Sequence, residues 1–166
     1  MFYKIIYTGC GIINENLFFE GIPKELLPIL LKNGKENFQQ KVYRVAKFGM
    51  INEETFFNTF VEHKTENRLE QLKRKYGLDN IGTYSTSCYS TKESPDKYLK
   101  LLKERLRKKY PCPIIIEGKT VCGLSQLTIE RDSNYLDNTH IDWWIYNKKC
   151  SIDMIIQVFK ESKEGE

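Results

Sequence analysis

Between Pro113 and Tyr146 the chain holds three short β-favouring runs with no helix-length apolar period between them. Pro113-Ile114-Ile115-Ile116 reads as a buried strand, Leu127 to Glu130 as a second, and residues 140–146 (HIDWWIY) as a third. Upstream, strands and helices take turns; in this last third they do not. A doubly wound parallel sheet requires the alternation throughout. The expectation is therefore an α+β fold, with a mixed or mainly antiparallel sheet flanked by helices.

The earlier segments fit that plan. Residues 2–8 read as a strand, closed by Thr8-Gly9-Cys10-Gly11. Pro23 opens a leucine-rich helix that Pro28 divides and Asn33-Gly34 ends. Residues 41–47 (KVYRVAK) form a strand with Val42, Arg44 and Ala46 on one face and Tyr43 and Val45 on the other. Asn52 caps a helical stretch carrying Phe56, Phe57, Phe60 and Val61, continued with a break to Gly77. Residues 81–89 (IGTYSTSCY) read as a strand. Ser94-Pro95-Asp96 starts a helix to Tyr110, stopped by Pro111, and Ser151 caps a last helix. Residues 160–166 are expected to fray.

With 166 residues, 40% of them apolar, the chain fits one domain that forms a core without metal or disulfide staples. The 13% aromatic share leaves rings to spare for a pocket or interface. The five cysteines are odd in number, loosely spaced and form no CxxC pair, which argues for reduced thiols in a cytoplasmic protein. The N-terminus lacks a signal-peptide h-region and no apolar run is long enough to span a bilayer, so no membrane partner is expected. Two histidines exclude a multi-histidine metal site, and His63, beside Glu62 and Glu66, reads as solvated. Neither GxGxxG nor GxxxxGK[ST] occurs. The net charge of +4 favours a phosphate-bearing ligand only mildly.

Polar residues in strands are the informative exceptions. Arg44 lies inside an apolar strand, Ser85, Thr86 and Ser87 form a hydroxyl row, and His140 and Asp142 share one strand face at period two. A buried arginine needs acceptors and a buried aspartate needs donors, so one polar cleft would satisfy both. Trp143 and Trp144 face opposite sides; one belongs in the core, and the other, assigned as Trp144, is available to stack on a base or nicotinamide ring.

Val42-Tyr43-Arg44 resembles the first-strand arginine motif of mono-ADP-ribosyltransferases. Gly82-Thr83-Tyr84-Ser85-Thr86-Ser87 resembles their Ser-Thr-Ser motif. The likeness spans about residues 41–146 in these short motifs alone. It implies an ADP-ribosyltransferase-like fold with NAD as cofactor, Arg44 on the diphosphate, Ser85 supporting the site, Tyr84, Thr86, Ser87, His140 and Trp144 around the ligand, and a late acid stabilising the cation left by nicotinamide. The family's Glu-x-Glu or Gln-x-Glu is missing from the last third. Asp142 is the preferred acid, with His140 where the family has its first acid, and Glu130 is the other candidate.

The chain is also similar in texture to proteins of bacteriophages and mobile elements. That implies the cytoplasm of a bacterial host and an alternative role, binding and blocking a host defence protein. A third class, nucleic-acid binding, rests on the helix at 97–109, where Lys97, Lys100, Lys103, Arg105, Arg107, Lys108 and Lys109 face only Glu104 as counter-charge.

Overall fold

A computed structural model describes residues 22–36, 41–146 and 149–163. The expected strand at residues 2–8 lies outside them. A 3-10 turn, Lys24–Leu26, leads into α1, Leu27–Asn33, with Pro28 at its second position, where a missing N–H costs nothing. There follow β1, Lys35–Glu36; β2, Val42–Ala46; α2, Thr59–Thr65; α3, Leu69–Tyr76; β3, Thr86–Tyr89; α4, Glu93–Arg105; β4, Ile114–Gly118; β5, Gly123–Leu127; α5, Thr128–Arg131; β6, His140–Ile145; α6, Lys149–Val158; and β7, Lys160–Glu161.

The seven strands form one sheet in the order β1-β5-β6-β3-β2-β4-β7, antiparallel at every pairing. This is the α+β architecture expected from the failed alternation. Central pairings are long, with Thr86↔Trp143 through Tyr89↔His140 joining β3 to β6, whereas β2 meets β3 at Tyr43↔Tyr89.

Side-chain alternation separates the faces. One face carries the main core: Val42, Ala46, Cys88, Ile116, Ile141 and Trp143, covered by Phe56, Ile155 and Phe159. The other face is apolar only at its ends. Leu124 and Trp144 pack with Leu26, Leu27 and Leu30 at one end, and Val45 and Ile115 pack with Leu102 and Tyr110 at the other. Between those clusters the outward residues of β3 and β6 are Ser87, Tyr89, His140 and Asp142. That gap positions the site.

Several boundaries differ from the sequence expectation for local reasons. Residues 81–89 are not one strand: Ile81–Tyr84 is a 3-10 turn, because Asn80 accepts from Gly82 N through its side chain at 2.9 Å. The strand expected at residues 127–130 lies earlier, at β5, and Thr128–Arg131 is helical. The stretch from Asn52 splits into a capped 3-10 turn, Glu53–Phe56, then α2, capped by Asn58, then α3, with Asn67 at φ 55 between the two helices. Gly77 at φ 75 ends α3. Helix α4 starts at Glu93, one residue before Ser94, whose hydroxyl instead meets Thr139 Oγ1 at 3.0 Å, and it ends at Arg105, short of Tyr110. Helix α6 begins at Lys149, ahead of Ser151. Lys160 and Glu161, expected to fray, pair with β4 through Ile116↔Glu161 and Glu117↔Lys160.

Candidate functional site

The polar middle of the second face opens into a cleft of two lobes, with volumes of about 390 and 350 Å³. Six residues line both and form its waist: Thr59, Lys75, Tyr76, Ser87, Tyr135 and His140. The larger lobe adds Arg44, Lys47, Arg68, Tyr89 and Tyr98; the smaller adds Thr128, Arg131, Asp132 and Asp142. Its floor is β3 and β6. Its walls come from α2, α3, α5 and the loop before β6.

Asp142 is 2% exposed and fully engaged. Ser85 Oγ donates to Oδ1 at 2.6 Å, and Arg131 Nε donates to Oδ2 at 3.0 Å. Arg131 is fixed by a second bond, Nη1 to Asn80 Oδ1 at 3.0 Å. It lies so close over Gly82 that a Cβ there would sit 2.5 Å from Nη2. The glycine of the Gly-Thr-Tyr-Ser run thus makes room for the guanidinium that holds the carboxylate.

His140 is anchored through Nδ1, 2.6 Å from Thr128 Oγ1. Its ring lies between Tyr89 and Tyr135, at centroid distances of 5.2 and 5.0 Å. Burial pushes its pKa below the ordinary histidine value, with Arg131 and Arg44 acting in the same direction and the nearby Asp142 and Asp137 opposing. The ring is therefore neutral at pH 7. Burial likewise pushes the Tyr89 and Tyr135 hydroxyls up, so both remain protonated donors.

Arg44, on β2, is held by main-chain oxygens. Nε donates to Thr55 O at 2.5 Å, Nη2 to Phe57 O at 3.2 Å, and Nη1 to Ser87 O. Glu62 Oε1 lies 3.5 Å from Nη2 and shares its carboxylate with Lys47 at 2.6 Å. With 7% exposure, the guanidinium fastens β2 to β3 and to the 53–57 segment.

The structure therefore brings Ser85, Asp142, Ser87, His140 and Arg44 to one region, with different roles. Ser87, His140, Asp142 and Arg44 line the cleft, whereas Ser85 is 1% exposed and lies beneath it. Thr86 points to the opposite face, donating to Phe56 O at 2.8 Å. Tyr84 is buried against Phe60 and donates to Leu78 O at 2.9 Å. Trp144 is 1% exposed in the Leu26–Leu30 cluster, and its indole N–H goes to Ile81 O at 3.1 Å, so it has no face open to a ligand. Glu130 lies on the surface of α5, 3.9 Å from Lys35, away from the cleft. Of the two late acids, Asp142 is the one in the site.

Sequence reasoning missed Lys75, Tyr76, Arg68, Tyr135 and Arg131, and His63, expected to be solvated, is half-buried and lines the larger lobe. The last turn of α3 carries Lys73, Arg74 and Lys75, but nothing local in the sequence says which strand they face. Lys75 Nζ lies 4.7 Å from the Tyr76 ring centroid, a cation and an aromatic together at the waist. Arg68 pairs with Glu66, and its buried Nε has no hydrogen-bond acceptor among the described residues.

Comparison of the chain with protein-family models, with curated proteins and with solved structures finds no match in any of the three. Among the described residues no helix is long and apolar enough to cross a membrane.

Proposed function

We propose that the cleft binds a nucleotide of the NAD class through its adenosine-phosphate part and does not transfer ADP-ribose. The observation that carries this is the waist, where Lys75 and the rings of Tyr76, Tyr135 and His140 face one space. Aromatic faces suit a base, and a lysine beside them suits a phosphate. The orphaned Nε of Arg68 on the same wall is a donor that a nearby anion would satisfy. Two lobes of about 390 and 350 Å³ lie within the range of small-molecule pockets.

The same geometry argues against transfer. A carboxylate helps an oxocarbenium-like transition state when its charge is free to act on the sugar. Asp142 has Arg131 at 3.0 Å, and that cation offsets the charge before any sugar arrives. Arg44, which the family resemblance assigns to the diphosphate, has its guanidinium spread over three carbonyls.

Calorimetric titration with ADP, NAD and nicotinamide tests the reading. ADP and NAD should bind below the millimolar range and nicotinamide should not. Lys75→Ala should weaken ADP about tenfold, the loss of one hydrogen bond to a charged group. Absence of heat with both nucleotides at millimolar concentration would refute binding. Release of nicotinamide from NAD would refute the absence of transfer.

A second reading, a protein partner such as a host defence component in a bacterial cytoplasm, is favoured by α4. Tyr98 and Leu101 of the helix and Leu106 just past its end are 36%, 40% and 40% exposed among its cations, a surface suited to an acidic protein. Pull-down from a host lysate with Leu101→Glu as control tests it, and equal capture by both forms would count against it.

A further inference from the structure

Both histidines of the chain line the larger lobe of the cleft. They come from different elements, His63 from α2 and His140 from β6. Each is anchored through Nδ1 to an oxygen: His63 to Thr59 O at 2.9 Å, His140 to Thr128 Oγ1 at 2.6 Å. Each ring is thereby oriented and keeps its Nε2 out of that bond. A carbonyl only accepts, so His63 Nδ1 carries a hydrogen in every state, and that bond serves the doubly protonated ring as well as the neutral one. A hydroxyl accepts too, so His140 with its hydrogen on Nδ1 presents an Nε2 lone pair.

The other residues that line this lobe favour a phosphodiester. Lys47, Arg68 and Lys75 line the same lobe, with Glu62 as the acid among them. Tyr98 of α4 closes one side, and exposed Lys97, Lys100 and Lys103 continue from it along the helix. A chain of phosphates lying in the lobe has a cationic path to leave by.

We propose that this lobe cleaves single-stranded RNA by internal transphosphorylation, with His140 as base and His63 as acid. The inference rests on the reading of the cleft as a phosphate-binding site. His140 Nε2 takes the proton of a ribose 2′-hydroxyl, and the 2′-oxygen attacks the adjacent phosphorus. The new O2′–P bond forms as the P–O5′ bond breaks, and His63 Nε2 gives its proton to the departing O5′. The products are a 2′,3′-cyclic phosphate and a 5′-hydroxyl end, with no change of oxidation state. Water then returns the proton from His140 to solvent and reprotonates His63. Lys75 and Arg68 act on the non-bridging oxygens as charge builds there. The roles follow the anchoring: His140, between two tyrosine rings with Nδ1 on a hydroxyl, is placed as the base, and His63, whose Nδ1 hydrogen is held on a carbonyl in either state, as the acid.

The test is a quenched fluorescent ribo-oligonucleotide, its all-deoxy counterpart, and ADP binding measured on the same protein. The RNA should be cut to cyclic-phosphate ends and the DNA left intact. His63→Gln and His140→Gln should each lower turnover about 100-fold or more; ADP binding should persist in His63→Gln, whereas His140→Gln, at the waist, should weaken it as well. A wild-type pH profile with limbs that disappear singly in the two variants would support the assigned roles. ADP binding without RNA cleavage, cleavage of DNA at a similar rate, or turnover retained in both variants would overturn the inference and leave nucleotide binding standing. Loss of ADP and oligonucleotide binding together would overturn both. His63→Gln keeps the test open if His140→Gln fails to fold, since His63 lies outside the three core clusters.

Discussion

Arg44→Leu separates a structural guanidinium from a ligand-binding one. The wild-type side chain, 7% exposed, donates to the carbonyls of Thr55, Phe57 and Ser87 and lies 3.5 Å from Glu62. Leucine would strand those carbonyls, at about 1–3 kcal/mol for each that finds no other donor. Glu62 would keep Lys47 at 2.6 Å, so no bare charge is left behind. The net expectation is a loss of about 3–4 kcal/mol, toward the lower end for breaking a buried pair. For a chain of 166 residues that corresponds to a fall in Tm of about 6–16 °C. Urea unfolding followed by tryptophan fluorescence reads it directly, since Trp143 and Trp144 are 0% and 1% exposed and report loss of the core. Arg44→Lys, which keeps a charge for Glu62 but not the fork, should fall between. A loss under about 1 kcal/mol, coupled with a more than tenfold fall in ADP affinity, would refute the reasoning and return Arg44 to the ligand.

Glu66 gives a pH-dependent counterpart. Burial pushes its carboxyl up, but Lys109, Arg68 and Tyr110 outweigh that and hold it at about 2, against an ordinary 4.5. A depressed carboxyl stabilises the fold above its unfolded pKa, so a contribution that solvent screening of the exposed Lys109 and Arg68 holds to about 1–2 kcal/mol is present above pH 4.5 and lost as the pH falls towards 2. Glu66→Gln should remove that slope in unfolding experiments from pH 6 to 2, and an unchanged slope would show the ion pairs do not act as described. Ser85→Ala leaves Asp142 Oδ1 without its donor at 2.6 Å and should cost about 1–3 kcal/mol in thermal unfolding, with ADP still bound. Burial pushes the Cys88 thiol up to about 12, whereas Cys112 is exposed; iodoacetamide followed by peptide mass mapping should label Cys112 and spare Cys88 in the native protein.

The strands legible in the sequence were those whose burial matches their residue types. Val42 and Ala46 against Tyr43 and Val45 mark two faces at once, and the buried isoleucines of β4 leave no other reading. Strand β5 was not legible. Its Gly-Leu-Ser-Gln-Leu sequence has little β-propensity, yet its middle is buried, with Ser125 Oγ bonded to Thr120 Oγ1 at 3.1 Å. Gly123 is there because a Cβ would come 2.3 Å from Trp144 O, a fact about the neighbouring strand. The expected shared face of His140 and Asp142 followed from period two alone and is found, both lying on the second face. Arg131, Lys75 and His63 reach the cleft from helices, so their part in it depends on packing that no local pattern encodes. Trp144 misled for the same reason: a large ring on the site's face of β6 is covered by leucines from α1, distant in sequence.

Amide chemical-shift mapping during an ADP titration tests nucleotide binding in the cleft most directly. The account predicts shifts concentrated at Lys75, Tyr76, Ser87, Tyr89, Tyr135 and His140, which line the two lobes, with the α4 amides after Tyr98 little changed. Shifts confined to residues 97–109, or none at several millimolar ADP, would contradict it.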